Sequence, residues 1–285
     1  MLTVRTAAEL RTARAALAGS VCFVPTMGAL HAGHARLMEV AKKKADHLVV
    51  SIFVNPTQFG PNEDFSKYPR AEETDLALCE AAGADIVFLP KVAEIYRTEP
   101  TVRVTVDPKL SGILCGAQRP GHFDGVAQVV AILFNLVRPD SACFGEKDHQ
   151  QLAVIRKLVE DLHFPVAIVP VATVREPDGL ALSSRNRYLS PAERAAAPAI
   201  YRALLYCKGR AEQIRFDRIA LPVGKVEEEG RALILNDIPG AQIDYFEIRH
   251  TDTLEPTHFI MNRSRAFAAV RVGATRLIDN LLLNG

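Results

Sequence analysis

The chain has 285 residues, 48% of them hydrophobic and 24% charged, with 34 Lys+Arg against 33 Asp+Glu and a formal net charge of +1. These proportions exclude a mainly disordered chain, which needs low hydrophobicity and a large net charge, and the balance of signs offers no basic body for nucleic acid. Length suggests about two domains, and the longest apolar runs, such as 129–134, are far too short to cross a membrane.

In chain order, Arg5, Glu9, Arg11 and Arg14 deny the N-terminal stretch the apolar core of a secretory signal. Residues 21–25 read as a short apolar strand and 33–45 as a helix with a basic exposed end. The continuous apolar run 48–54 suits a strand covered on both faces. Residues 55–62, with two prolines and a glycine, form a loop. The spacing at 71–82 predicts a helix with Leu76, Leu78 and Cys79 on one side and acids on the other, stopped by Gly83. Residues 85–89 make another strand, 101–106 alternates in β fashion, and 126–137 is a mostly apolar helix. A strand end at 142–145, a helix at 147–162 and a strand at 166–169 follow.

Short apolar strands alternating with helices predict an α/β fold with a parallel sheet covered on both faces. Ligands of such sheets bind beyond the carboxyl ends of the strands, so the loops after Val24, Val54, Phe144 and Val174 are the candidate site loops. The composition changes at the turn-rich link 175–179. Beyond it lie a long helix at 191–213 and a smaller α+β pattern with strands near 243–248 and 266–272. The expected domains are 1–175 and 176–285. Five scattered cysteines, Cys22, Cys79, Cys115, Cys143 and Cys207, contain no Cys-x-x-Cys. They read as free thiols in a reducing compartment, and the expected location is the cytoplasm.

Four segments carry chemistry. In the first, Pro25 to His34, a strand opens into a helix, whose N-terminal N–H groups and partial positive charge suit phosphate. His31 and His34 fall on one helical face. Gly33 between them permits close approach to the backbone. Two imidazoles there can donate to phosphate oxygens as charge builds in attack at an α-phosphate; the competing role is helix capping.

The second segment, Ser51 to Phe59, brings Asn55 and Gln58 to the same sheet edge as the histidines. Their amides can bind hydroxyls or a carboxylate without adding charge, although Asn-Pro is also a common turn. The third, Phe144 to Gln151, offers Gly145 as open backbone, Lys147 as a point charge for phosphate, Asp148 as an acceptor for ribose hydroxyls, and Gln151 one turn on. An ordinary helix start with Asp148 in its first turn is the alternative. The fourth, Leu182-Ser183-Ser184-Arg185-Asn186, has two hydroxyls and a guanidinium suited to a polyphosphate, or else is a capping loop before Pro191.

Glu72, Glu73 and Asp75 read as a helix N-terminal turn, Lys42 to Lys44 as a helix end, and Glu227 to Glu229 as a solvated face. Arg119-Pro120-Gly121-His122-Phe123 fits either catalysis or packing. No metal cage, hydrolase triad, GxGxxG or GxxxxGK[ST] pattern is present in the sequence.

The segments PTMGALHAGH, SIFVNPTQF, RPGHFDGVAQVV, FGEKDHQQL, VREPDGLALSSRNRYLS and RVGATRLIDN, in this order, resemble the pantoate–β-alanine ligase (pantothenate synthetase) family. That family belongs to the HIGH-motif nucleotidyltransferases, relatives of class I aminoacyl-tRNA synthetases. The resemblance implies a Rossmann-like N-terminal domain, a smaller α+β C-terminal lid domain and a homodimer. It also implies ATP, Mg²⁺, pantoate and β-alanine as reactants, an enzyme-bound pantoyl adenylate, and release of pyrophosphate and then AMP.

By match, Met27, Gly28, Ala29, Leu30, His31, Ala32, Gly33 and His34 form the first ATP loop. His34, His31, Lys147 and Arg185 are the catalytic set. Gln58 and Gln151 hold pantoate, with Asn55 beside them. Gly145, Glu146, Lys147, Asp148 and Val174 meet the adenosine and phosphates, and Leu182, Ser183, Ser184 and Arg185 are the second phosphate loop. Asp75 matches an acid linked to Mg²⁺, while Thr74 stands where members often carry another acid. Ala35 replaces a frequent Leu, a packing change, and 207–254 diverges most. Two other readings share the motifs. A cytidylyl- or adenylyltransferase that stops at nucleotide transfer is disfavoured by Gln58, Gln151 and the long C-terminal domain. A non-catalytic nucleotide-sensing or RNA-binding relative is disfavoured by the balanced charge.

Overall fold

Six segments of the first 171 residues align as one parallel sheet: β1 (Leu2–Val4), β2 (Val21–Thr26), β3 (His47–Ile52), β4 (Ile86–Phe88), β5 (Ser141–Gly145) and β6 (Ala167–Val171). Their order is β1-β4-β3-β2-β5-β6, and every pairing is parallel. The computed structural model describes residues 1–60, 65–66, 68–96, 101–217, 222–260 and 263–284, without the side chains of 214–217. Residues 61 and 62 of the expected loop lie outside the described residues.

Helices α1 (Ala7–Ala15), α2 (Ala32–Lys44), α3 (Glu72–Ala81), α4 (His122–Val137) and α5 (His149–Asp161) connect these strands. Alternation along β2 explains how both faces are covered. Cys22 and Val24 pack in a cluster with Met38 of α2 and Cys79 of α3. Phe23 meets Phe134 of α4 edge-on, with centroids 6.4 Å apart. The result is the Rossmann-like α/β sheet expected from the apolar runs.

Some expectations change. Residues 101–106 make no strand; the Val104 and Val106 N–H groups bond instead to the side chains of Gln128 and Asp124, at 2.8 and 2.9 Å. Their alternation reflects one edge laid on α4, not a ladder. The helix expected at 126–137 begins at His122, after Gly121 in a left-handed turn (φ 79°). That expected at 147–162 begins as a tight turn, Glu146–Asp148, before α5. On α3 the buried side carries an acid, Asp75, beside Cys79, so the expected division into apolar and acidic sides fails at that residue. Gly83 does close the helix, at φ 73°.

The chain divides into two compact units, Met1–Glu146 with Gln151–Ala172, and Lys147–Gln150 with Thr173–Gly285. The second unit holds an antiparallel sheet, β7 (Gln242–His250), β8 (Ser264–Val272) and β9 (Thr275–Leu282), in that order. Its core joins Ile200, Leu204, Val226, Ile234, Phe246 and Val270. The helix expected at 191–213 is two: α6 (Pro191–Ala196) and α7 (Ala199–Asp217). Pro198, which has no N–H to continue the ladder, lies between them. α8 (Val223–Asp237) follows. A Cβ on its Gly230 would lie 2.5 Å from the Phe246 ring, so this glycine sets how closely α8 approaches the sheet. The turn at 175–179 is pinned: Arg175 forks onto Asp279 at 2.6 and 2.9 Å and lies 3.8 Å over the Tyr201 ring.

Glu227 departs from the expected solvated face. It is half-buried and accepts the Ile248 N–H at 2.6 Å, and burial pushes its carboxyl above the ordinary value. The folded chain therefore keeps this proton to higher pH than the unfolded chain. Its contribution to stability is fullest in acid and declines as pH rises through the folded value. Glu227→Gln keeps the acceptor and removes the charge. We expect the variant to gain stability relative to the parent as buffer moves from mildly acidic to mildly alkaline, read from urea midpoints. A difference that does not widen with pH contradicts the assignment.

Candidate active site

The strand order reverses between β2 and β5: from β2 the chain moves through β3 and β4 toward the edge held by β1, then returns to β5 and β6 on the other side. Sheets of this kind leave a crevice at such a switch point, beyond the carboxyl ends of the strands. Three of the four candidate segments leave from β2, β3 and β5, which are neighbours in the sheet.

The loop after β2 turns through two consecutive left-handed residues, Gly28 (φ 81°) and Ala29 (φ 51°). This aims two successive N–H groups the same way. The Ala29 N–H reaches Asp75 Oδ2 at 2.9 Å and the Leu30 N–H reaches Oδ1 at 2.7 Å. Asp75 is only 2% exposed. A Cβ at position 28 would lie 2.9 Å from Asp75 Oδ2, so both backbone sign and space require glycine there. Spacing in sequence carries no signal for this anchor, because the partners lie 45 and 46 positions apart.

His31 is the N-cap of α2. Its Nδ1 accepts the Gly33 N–H at 3.1 Å, while its own N–H donates to His34 Nδ1 at 3.2 Å. This is a capping box built from two imidazoles. A ring nitrogen that accepts carries no hydrogen, so each neutral ring bears its proton on Nε2. The rings lie 4.2 Å apart by centroid. The sequence leaves capping and donation as alternatives; the geometry joins them, since capping through Nδ1 fixes the donor at Nε2. A Cβ on Gly33 would lie 2.8 Å from His31 Cε1. The group that approaches this glycine is therefore the neighbouring histidine.

Beyond β3, Asn55 caps the turn Pro56–Gln58. Asn55 Nδ2 donates to Gln58 Oε1 and to the Gly125 carbonyl, both at 3.0 Å, and its Oδ1 accepts from Tyr96 OH at 2.9 Å. The Gln58 carbonyl accepts from His122 Nδ1 at 2.9 Å and Arg119 Nη2 at 3.1 Å. Arg119 Nη1 bonds His122 Nε2 at 3.1 Å, which suits the Nδ1–H tautomer. So the undecided segment at 119–123 positions Gln58. A Cβ on Gly125 would lie 2.3 Å from the Thr57 carbonyl oxygen, which is how α4 comes so close to this turn. Sequence spacing assigns no such role to Tyr96, Arg119 or His122. Beyond β5, a Cβ on Gly145 would meet open space, and Gln151 sits half-buried in the first turn of α5.

In the second unit, Lys147 and Ser183 line one cleft with Asn186, Asp279, Leu180 and Ile200. Lys147 Nζ is 3.8 Å from Asp148. The Val174 carbonyl accepts the Leu182 N–H at 3.0 Å, and Ser183 caps the turn Ser184–Tyr188 by accepting the Arg185 N–H. Among the described residues no group of three or more His, Cys, Asp and Glu could hold a metal ion.

Sheet, switch point and imidazole-capped loop together define a Rossmann-like α/β protein of the HIGH-motif class. The family model described as pantoate-beta-alanine ligase matches residues 2–282. Pantothenate synthetase of Acidothermus cellulolyticus is 49% identical over 98% of this chain and 91% of its own length. The crystal structure of pantothenate synthetase from Thermus thermophilus is 48% identical with a TM-score of 0.92, covering 100% of both chains. Pantoate-beta-alanine ligase from Francisella tularensis, complexed with beta-gamma ATP and beta-alanine, is 33% identical with a TM-score of 0.79 over 99% of this chain and 98% of that one. The chain belongs to the pantoate-beta-alanine ligase family.

Asp75→Asn tests the anchor of the first loop. An amide keeps one acceptor oxygen but sets NH₂ against the second N–H. One buried donor loses its partner, which costs about 1–3 kcal/mol. We expect the urea midpoint to fall accordingly with an unchanged slope; an unchanged midpoint rejects the anchor.

Proposed function

We propose that the chain carries out the reaction of its family: ATP-dependent condensation of pantoate with β-alanine to pantothenate. A carboxylate is a poor acylating agent. In the first step a pantoate carboxylate oxygen attacks the α-phosphorus of ATP and pyrophosphate leaves, giving an enzyme-bound pantoyl adenylate. In the second, the β-alanine amine attacks the acyl carbon, loses a proton, and AMP leaves. The observation that carries the reading is the paired imidazoles, whose Nδ1 atoms are committed to backbone N–H groups. Each neutral ring then offers an Nε2–H to phosphate oxygens as their charge grows.

In this reading Met27 to His34 contact the ATP phosphates, with His34 and His31 as donors. Lys147 and Arg185 neutralise charge on the departing pyrophosphate. Gly145, Glu146, Asp148 and Val174 meet the nucleoside, and Leu182, Ser183 and Ser184 meet phosphate. Mg²⁺ is assigned to the phosphates, where it adds charge neutralisation. Asp75, the matched acid, already has both oxygens engaged by backbone N–H groups, so its role here is to hold the loop.

Pantoate presents hydroxyls and a carboxylate, and neutral amides suit both. Asn55 holds Gln58 by its Oε1, which leaves the NH₂ edge as donor; Gln151 is the second amide. A cytoplasmic homodimer is the proposed state. All five cysteines are free thiols, and among the described residues no helix is long and apolar enough to cross a membrane.

The deciding experiment is exchange of labelled pyrophosphate into ATP. It should need pantoate and proceed without β-alanine. Exchange that appears only once β-alanine is added rejects a separate adenylate step.

The acid pocket is tested by Gln58→Ala. Losing a buried hydrogen-bond partner costs about 1–3 kcal/mol, so the KM for pantoate should rise roughly tenfold to a hundredfold with the KM for ATP little changed. Equal effects on both substrates remove Gln58 from the acid pocket.

A further inference from the structure

Lys147 lies only two positions beyond the end of β5, yet Lys147–Gln150 belong with the second unit, apart from the residues on either side. Two hydrogen bonds account for this. Asn280 Nδ2, on β9, donates to the Lys147 carbonyl at 2.8 Å. His149 Nε2 bonds the Thr251 carbonyl at 2.7 Å. Asn280, His149, Arg265 and Thr251 are all buried.

The Asn280 amide has one acceptable orientation. Its Oδ1 accepts from Arg265 Nη1 at 2.5 Å; turned over, it would set NH₂ against a guanidinium and oxygen against a carbonyl. Arg265 is itself fixed, through Nε on Thr251 Oγ1 at 2.9 Å. The backbone at 280 is also held: its N–H bonds Asp279 Oδ1 at 2.8 Å, and its carbonyl accepts from Arg175 at 3.3 Å. The donor aimed at Lys147 is therefore orientated by two guanidinium groups, one on its amide and one on its backbone.

We propose that Asn280 is a positioning residue for Lys147, fixing through the Lys147 carbonyl where the ammonium stands when pyrophosphate departs. The proposal rests on the reading of Lys147 as a phosphate contact. Asn280 itself touches no reactant. Its effect belongs to the rate of adenylation, since a misplacement of about 1 Å in a reacting constellation can cost about a hundredfold.

The variant is Asn280→Asp, nearly isosteric, which keeps the acceptor for Arg265 and replaces the donor to Lys147 with an oxygen. It is measured in pyrophosphate exchange alone and together with Lys147→Ala. Alone it should lower kcat roughly tenfold to a hundredfold and leave the KM for pantoate unchanged. In the Lys147→Ala background it should change the rate by less than about twofold, because the group it positions is gone. Asn280→Ala, which removes the donor without opposing the carbonyl, carries the same cycle if the Asp variant does not fold. Losses that multiply in the double variant, or a pantoate KM that rises with the fall in kcat, give Asn280 a merely structural part and overturn the proposal. Wild-type exchange in Lys147→Ala alone overturns the reading of Lys147 and the proposal with it.

Discussion

The need of buried backbone N–H groups for partners governs the first candidate loop. A strand that ends and a helix that begins within a few residues leave several N–H groups without a ladder. Here the Ala29 and Leu30 groups go to Asp75, and the His31 and Gly33 groups go to two imidazole nitrogens. This second choice has a chemical consequence. An imidazole that caps through Nδ1 has its tautomer set, so the same bond that completes the helix start also fixes where the ring proton resides. Folding and donor placement are one constraint at this loop. Gly28 and Gly33 are its steric conditions, the first because the backbone is left-handed and the carboxylate close, the second because a ring occupies the space of a Cβ.

Much of this was legible in the sequence. Continuous apolar runs such as 48–54 are what a strand buried on both faces requires, and the sheet contains it as β3. The strand–HxGH–helix order marks the first loop, because a helix start and histidines three apart are local facts. Local facts also explain the misses. The capping box of Thr6 and Glu9 marks α1, but β1 has only three residues, too few for periodicity to show. Pro198 divides a pattern that reads as one helix, and β9 carries polar Asp279 and Asn280 at buried positions, which masks its alternation. Residues 101–106 alternate because one side lies on α4, and periodicity cannot tell a side chain acceptor from a neighbouring strand.

The anchors were illegible for a different reason. Asp75 reads as ordinary dipole chemistry at a helix start, and only the fold reveals that its oxygens face another loop. Arg119 and His122 supply a cation and an imidazole, types that suit catalysis as well as packing. Their bonds to the Gln58 carbonyl span 61 and 64 positions. No spacing rule reaches that far, since helical and strand periodicities describe neighbours on one element.

A common arrangement emerges from these contacts. Asp75 holds the histidine loop, His122 and Arg119 hold Gln58, and Asn280 holds Lys147 across 133 positions. In each case the bond is made to the backbone of the segment that carries the candidate residue. Backbone anchoring fixes the Cα, and with it the origin of the working side chain, without occupying that side chain's polar atoms. It also separates two selective demands: the ligand-facing residue must suit the reactant, whereas the anchor must suit only an N–H or a carbonyl, which every such position offers. A substitution at an anchor therefore shifts geometry without changing the chemistry presented, and one at a ligand-facing residue does the reverse. The charged groups of this arrangement accordingly make their anchoring bonds within the protein: Asp75 to the backbone of the histidine loop, Arg119 to the Gln58 carbonyl, and Arg265 to the Asn280 amide that holds Lys147.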